Sequence, residues 1–144
     1  MKLIATHVVK AFNLGVHGNL FGGTILSWID EAGAVYASEE ASSTNMVTVA
    51  MDKVEFIKPV KLGRMVKIYG NTIKVGTTSI TVQIEARVYN PYNDKESLVC
   101  KTKVIFVRID ADGSPIPITK INKNSNRQMI NSVLNRVKNY NDGQ

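Results

Sequence analysis

Apolar residues recur at helical spacing in one early stretch of the chain and alternate with polar ones over most of the remainder. Ile25, Leu26, Ile29, Ala32, Gly33 and Tyr36 fall at the i, i+4, i+7 and i+8 positions of a helix that buries one stripe. Farther on, Ile80, Val82, Ile84, Ala86 and Val88 alternate strictly with Thr81, Gln83, Glu85, Arg87 and Tyr89. That is the clearest period-two signal in the chain, and it predicts a half-buried antiparallel strand over 79–89. Shorter strand patterns cover 2–10, 46–60, 65–75 and 98–109, and in the second of these Val47, Val49 and Met51 alternate with Thr48, Ala50 and Asp52. Pro59 ends that run or places it at a sheet edge. Turn residues cluster at 62–64, at Gly76, in a hairpin loop at 90–96 and at 110–115. Last, Met129, Ile130, Val133, Leu134, Val137 and Tyr140 form the apolar stripe of a second helix within 122–140, opened by a Ser125–Gln128 capping box.

The predicted order is strand, long helix, four consecutive strands, tail helix. It defines an α+β protein in which one long helix packs on a face of an antiparallel sheet. A single helix cannot cover such a sheet, so pairing with a second copy is expected on packing grounds alone. At 144 residues, without repeats or linkers, the chain reads as one domain. Its 44% apolar and 21% charged residues are those of an ordinary globular protein. No apolar run reaches the length of a membrane span and no secretory leader is recognisable, so a cytoplasmic protein that does not engage a membrane is expected. The single cysteine, Cys100, agrees with a reducing compartment and reads as a buried, inert thiol.

Charge adds less. Of the net +6, residues 119–144 contribute +4, from Lys120, Lys123, Arg127, Arg136 and Lys138 against Asp142. A second basic group comprises Lys53, Lys58, Lys61, Arg64 and Lys67. Such clusters suit phosphate-bearing partners, although solvated lysines explain most of them. No basic strand interleaved with aromatics supports nucleic-acid binding. His7 and His17 with one distant cysteine make no metal site, and no G-x-S-x-G elbow is present.

Candidate chemistry concentrates in residues 13–37. Asp30 sits inside the apolar helix pattern, where a carboxylate loses hydration. At the entry to that helix, Gly22 and Gly23 leave backbone N–H groups approachable, and the helix dipole there favours negative charge. A donor that polarises a carbonyl and a carboxylate that activates water or attacks are thus present on one element. Seven residues advance a helix by about 10 Å while returning to nearly the same face. Gly23 and Asp30 of one chain are therefore too far apart to act on one carbonyl carbon, and joint action requires Asp30 of one copy and Gly23 of another.

The stretch HGNLFGGTILSWIDEAGAVYA resembles the signature of the hot-dog-fold acyl-CoA thioesterases, in their acyl-CoA hydrolase branch. The matching positions are Gly18, Leu20, Phe21, Gly22 and Gly23, followed by Asp30. The resemblance continues through 47–63 and 75–89 and spans about 5–109. It implies a hot-dog fold, a five-stranded antiparallel sheet wrapped around the central helix, in homodimers with shared sites that often assemble as trimers of dimers. By position, Asp30 becomes the general base or nucleophile, and the Gly23 N–H, with Gly22, binds the thioester oxygen of acyl-CoA. Thr48 matches a position facing the site, and Gly76, Thr77, Thr78 and Ser79 match a turn lying along the coenzyme A moiety. Lys58 and Arg108 become phosphate contacts by charge and location. Where many members carry an asparagine this chain has Gly15, leaving Asn13, His17 or Asn19 to supply the second polar group, or none.

Neighbouring residues carry plainer readings. Phe21, though in the matched motif and so a substrate-binding candidate, reads as core packing, and Trp28 as a sheet or interface contact. The expected activity is acyl-CoA thioester hydrolysis without metal or redox cofactor. A non-catalytic module that senses acyl-CoA in the same cleft is the alternative. A hot-dog hydratase lacks its Asp-x-x-x-x-His pair.

Overall fold

The computed structural model describes residues 1–122 and 127–142, without the side chains of residues 127 and 128. Strand β1 (Lys2–Val8) leads through a 3-10 turn (Ala11–Asn13) into helix α1 (Gly22–Ala41). Strands β2 (Met46–Phe56), β3 (Met65–Val75), β4 (Ser79–Asn90) and β5 (Lys95–Arg108) come next, then helix α2 (Arg127–Asp142). The five strands form one antiparallel sheet in the order β1-β3-β4-β5-β2. The capping box expected at Ser125 and Gln128 lies outside the described residues.

Helix α1 packs against all five strands. Its buried face is the predicted stripe: Ile25, Ile29, Ala32, Gly33 and Tyr36 are buried, with Leu26 at the margin. Opposite lie Val66 and Ile68 of β3, Ile80, Val82, Ile84 and Ala86 of β4, and Val104 and Phe106 of β5, all fully buried. Close approach at the centre requires Gly33, where a Cβ would stand 2.6 Å from Ile84 Cδ1 and 2.8 Å from Phe106 Cζ. Two buried polar contacts fix the rotation of the helix. Tyr36 Oη and Thr72 Oγ1 are 2.9 Å apart, and the Thr72 N–H donates to Tyr36 Oη at 3.1 Å. Near the start of the sheet, the His7 ring of β1 stacks on Trp28, 4.3 Å between centroids. Trp28 is thus the sheet contact expected of it.

Three expectations change. In β2 the alternation exists but is turned outward: Val47 is 37% and Val49 55% exposed, while Thr48 faces α1. Strand β2 is one edge of the sheet, and its register shifts twice against β5, so Val47 and Val49 face away from the core of their own chain while Met51, beyond the first shift, packs on it. Among the described side chains of α2 only Val133 is fully buried; Leu134 and Tyr140 of the predicted stripe are more than half exposed. Met129 and Val137 pack on the core beside Val133, and the helix contacts β3, where Arg136 donates to Val75 O. Phe21 is not a core residue: it is 59% exposed, because the chain turns into α1 at that position and its ring lies over Gly23.

Candidate active site

The start of α1 is held by the loop before it. Leu14 pairs with Leu20 across a small hairpin whose tip turns at Gly18, φ +76°. The Leu20 N–H donates to Val60 O at 2.8 Å, and the Phe21 N–H to Asn13 O at 2.9 Å. Thr24 and Ile25 N–H both donate back to Phe21 O. The Gly22 and Gly23 N–H groups are left without an acceptor among the described residues, at the positive end of a 20-residue helix. Gly22 is half-buried and Gly23 exposed. A Cβ at Gly23 would lie 2.7 Å from the Phe21 ring, so glycine here also accommodates its neighbour.

Two depressions flank this helix start. One, of about 520 Å³, is lined by Gly15, His17, Asn19, Phe21 and Gly22 among others. The other, of about 360 Å³, lies toward the β2–β3 connection and includes Asn19, Gly22, Phe56 and Lys58. Asn19 borders both, and its buried Oδ1 has no partner among the described residues. Asn13 holds the helix start through its backbone, but its buried side chain is committed elsewhere, with its Oδ1 accepting the Lys10 N–H at 2.9 Å.

Two turns along the helix, half-buried Asp30 accepts a hydrogen bond from Thr48 Oγ1 at 2.5 Å. The bond orients the carboxylate and leaves its second oxygen for another partner. Thr48 sits in register with Phe106 of β5, and Met46 with Arg108, so Arg108 lies two residues farther along the same ladder. There the turn 76–79 joins the site. The Gly76 N–H donates to Ser79 O, the Arg108 N–H to Thr78 O at 2.9 Å, and the Ile118 N–H to Thr77 O at 2.8 Å. A Cβ at Gly76 would meet Ser79 Oγ at 2.5 Å.

The candidate residues therefore fall into separate groups within one chain. His17, Asn19, Phe21, Gly22, Gly23 and Lys58 surround the helix start, Asp30 and Thr48 lie two turns on, and Gly76–Ser79 with Arg108 line the far end. Arg136, Thr119 and Tyr140 also line the cavity beside Arg108. The basic charge of the tail is visible in the sequence, but nothing local shows that α2 folds back on this turn. Cys100 is fully buried, and burial pushes its thiol up to about 11, so it is unreactive.

A model of the thioesterase superfamily matches residues 17–92, and the chain belongs to that family, with its hot-dog fold. Among its relatives, the acyl-CoA thioester hydrolase YciA of Salmonella typhimurium is 31% identical over 120 residues, 81% of this chain and 90% of that protein. A hexameric hot-dog-fold thioesterase of Campylobacter jejuni is 34% identical with a TM-score of 0.72, over 82% of this chain and 90% of that one. The acyl-CoA hydrolase of Staphylococcus aureus, solved with butyryl coenzyme A, coenzyme A and coenzyme A disulfide, is 26% identical with a TM-score of 0.76, over 96% of this chain and 85% of that one. No helix among the described residues is long and apolar enough to cross a membrane.

Proposed function

We propose that this protein hydrolyses acyl-CoA thioesters at sites shared between two subunits. The observation that carries the reading is the Asp30 carboxylate, held by the Thr48 hydroxyl at 2.5 Å on the same helix whose first-turn N–H groups lie open. Gly23 and Asp30 lie on one unbroken helix, so their separation along its axis is about 10 Å. One thioester meets both only if Gly23 comes from a partner. The outward apolar side of edge strand β2 supplies a surface for that partner. A homodimer is the working unit, and the hexameric relative supports a trimer of dimers.

In the reaction, the carbonyl oxygen accepts from the partner's Gly23 N–H, with Gly22 beside it. Asp30 either takes a proton from water as the water oxygen bonds to the carbonyl carbon, or bonds to that carbon itself. Both routes move charge onto the carbonyl oxygen, which the helix dipole and its free donors stabilise. The C–S bond then breaks and the thiolate leaves to be protonated. In the second route water afterwards hydrolyses the Asp30 anhydride. Neither route calls for a metal or redox cofactor.

The test is thiol release from short, medium and long acyl-CoAs by wild type and Asp30→Asn. Turnover reduced by about 10²–10⁴-fold in a variant of unchanged oligomeric state is expected. Well-folded wild type that binds acyl-CoA without turning it over would overturn the enzymatic reading in favour of a sensing module.

A further inference from the structure

A second surface lies in the loops at one end of the sheet. Val8 of β1 pairs with Met65 of β3, Met65 pairs with Tyr89 of β4, and β4 turns into β5 through 91–94, so these strand ends lie together. The Val9 N–H donates to Arg64 O at 2.9 Å, the Gly63 N–H to Val9 O at 2.8 Å, and the Leu20 N–H to Val60 O at 2.8 Å. Those bonds tie the loop between β1 and α1 to the turn before β3. Among the described residues the three most exposed large hydrophobic side chains are Val16 at 96%, Tyr92 at 95% and Phe12 at 80%, and all three stand in these loops beside exposed Leu62. Exposed apolar residues scattered singly are ordinary, but a group of them at one end marks a contact surface. Lys10, Lys61 and Arg64 lie among them, all exposed and none ion-paired among the described residues. Lys10 Nζ stands 5.7 Å from the centre of the Phe12 ring, and Lys61, Leu62, Arg64 and Tyr92 border one depression of about 320 Å³. Asp94, the carboxylate of the 91–94 hairpin, accepts from Tyr89 Oη at 2.8 Å.

We propose that this end of the protein docks on an anionic phospholipid bilayer, with Phe12, Val16, Leu62 and Tyr92 entering the headgroup layer and Lys10, Lys61 and Arg64 on the lipid phosphates. Charge selects this occupant. A second copy set here about a two-fold axis would bring the three cations against the same three cations. A nucleic acid would satisfy the cations, but Val16 and Leu62 offer no ring on which a base stacks. A bilayer surface takes both classes of side chain, since its phosphates meet the cations and its interface accepts apolar and aromatic groups. Such a contact needs no apolar span, so the lack of one does not bear on it. Lys10, Leu62, Arg64 and Tyr92 stand at the ends of β1, β3 and β4, across the sheet from edge strand β2, where the partner subunit is placed. Docking and pairing therefore use different surfaces.

The test is flotation of the protein with extruded vesicles of phosphatidylcholine and phosphatidylglycerol in equal parts, beside vesicles of phosphatidylcholine alone. Wild type floats with the anionic vesicles and not with the neutral ones, and added salt weakens the binding. A charge variant combining Lys10→Gln, Lys61→Gln and Arg64→Gln binds on the order of a hundredfold more weakly, at about fivefold for each cation. An apolar variant, Leu62→Ser with Tyr92→Ser, keeps the charge and binds about tenfold more weakly or worse. All five side chains are exposed, so both variants should melt with wild type and keep its oligomeric state. No flotation by wild type, or equal flotation by the charge variant, overturns the proposal. A loss in the charge variant with none in the apolar variant leaves only the general attraction of a basic protein, and overturns it too. A changed oligomeric state in either variant assigns the surface to contacts between copies instead. Single-stranded RNA that strips wild type from the vesicles at equal phosphate concentration assigns it to nucleic acid. Should a combined variant fail to fold, Lys61→Gln and Tyr92→Ser alone replace the pair, each with a severalfold loss expected.

Discussion

Thr48 and Gly33 show how single residues divide between chemistry and packing. The Thr48 hydroxyl donates to Asp30 and is exposed, so removing it leaves the core intact but frees the carboxylate to rotate. Thr48→Ala is expected to lower kcat about tenfold or more with little change in thermal stability, and Thr48→Ser to recover most of the rate. Steady-state kinetics beside a thermal melt checks both. Gly33 is the opposite case. Its Cβ would enter the fully buried Ile84 and Phe106 side chains, and neither can swing into solvent. Gly33→Ala should cost about 1–3 kcal/mol in chemical denaturation, despite the better helix propensity of alanine. The sequence places Gly33 on the buried stripe but cannot show that a ring from β5 occupies the space. Thr48 is identified through resemblance alone, since nothing in its own strand pattern distinguishes it from Thr81.

At the scale of elements, contacts between α1 and the sheet carry both stability and a pH dependence. The Tyr36 hydroxyl serves Thr72 of β3 through backbone and side chain in a buried setting. Tyr36→Phe leaves the Thr72 N–H without its partner and should destabilise by about 1–3 kcal/mol, read from the denaturant midpoint. The His7–Trp28 stack joins β1 to α1. Burial, with Lys10 nearby, lowers the His7 pKa below 6.5 against a weaker opposing pull from Glu31. The unfolded chain therefore takes up its proton at higher pH than the folded one. Stability present above pH 6.5 is lost as pH falls through that value toward the folded pKa. Melting temperature should drop more on acidification for wild type than for His7→Gln. The fluorescence of Trp28, the single tryptophan, should change with a midpoint below 6.5. Elements with strict periodicity, α1 and β4, are legible because each buries one whole face. Strand β2 and helix α2 are legible as elements but only partly in their facing: Met51, Met129, Val133 and Val137 pack on the core, while Val47, Val49, Leu134 and Tyr140 turn outward. An edge strand and a tail helix can turn apolar residues toward another chain or toward solvent, and no local pattern records which.

The whole molecule poses the question that one chain cannot answer, because the proposed donor and carboxylate lie about 10 Å apart on a rigid helix. Closed two-fold symmetry resolves it: each interface holds two sites, each taking Asp30 from one subunit and Gly23 from the other. Gly23→Pro removes the N–H while remaining compatible with the first helical turn, and the exposed Phe21 ring has room to move away. Alone, Gly23→Pro and Asp30→Asn should each be nearly inactive. Unfolded together and refolded as a mixture, half the dimers are mixed. In each mixed dimer one site carries both lesions, while the other joins an intact Asp30 to an intact Gly23. Thiol release should then return to about a quarter of the wild-type rate per subunit. If the donor and the carboxylate instead act within one chain, every subunit in the mixture carries a lesion and no activity returns, so one rate measurement on the mixture separates a shared site from a private one.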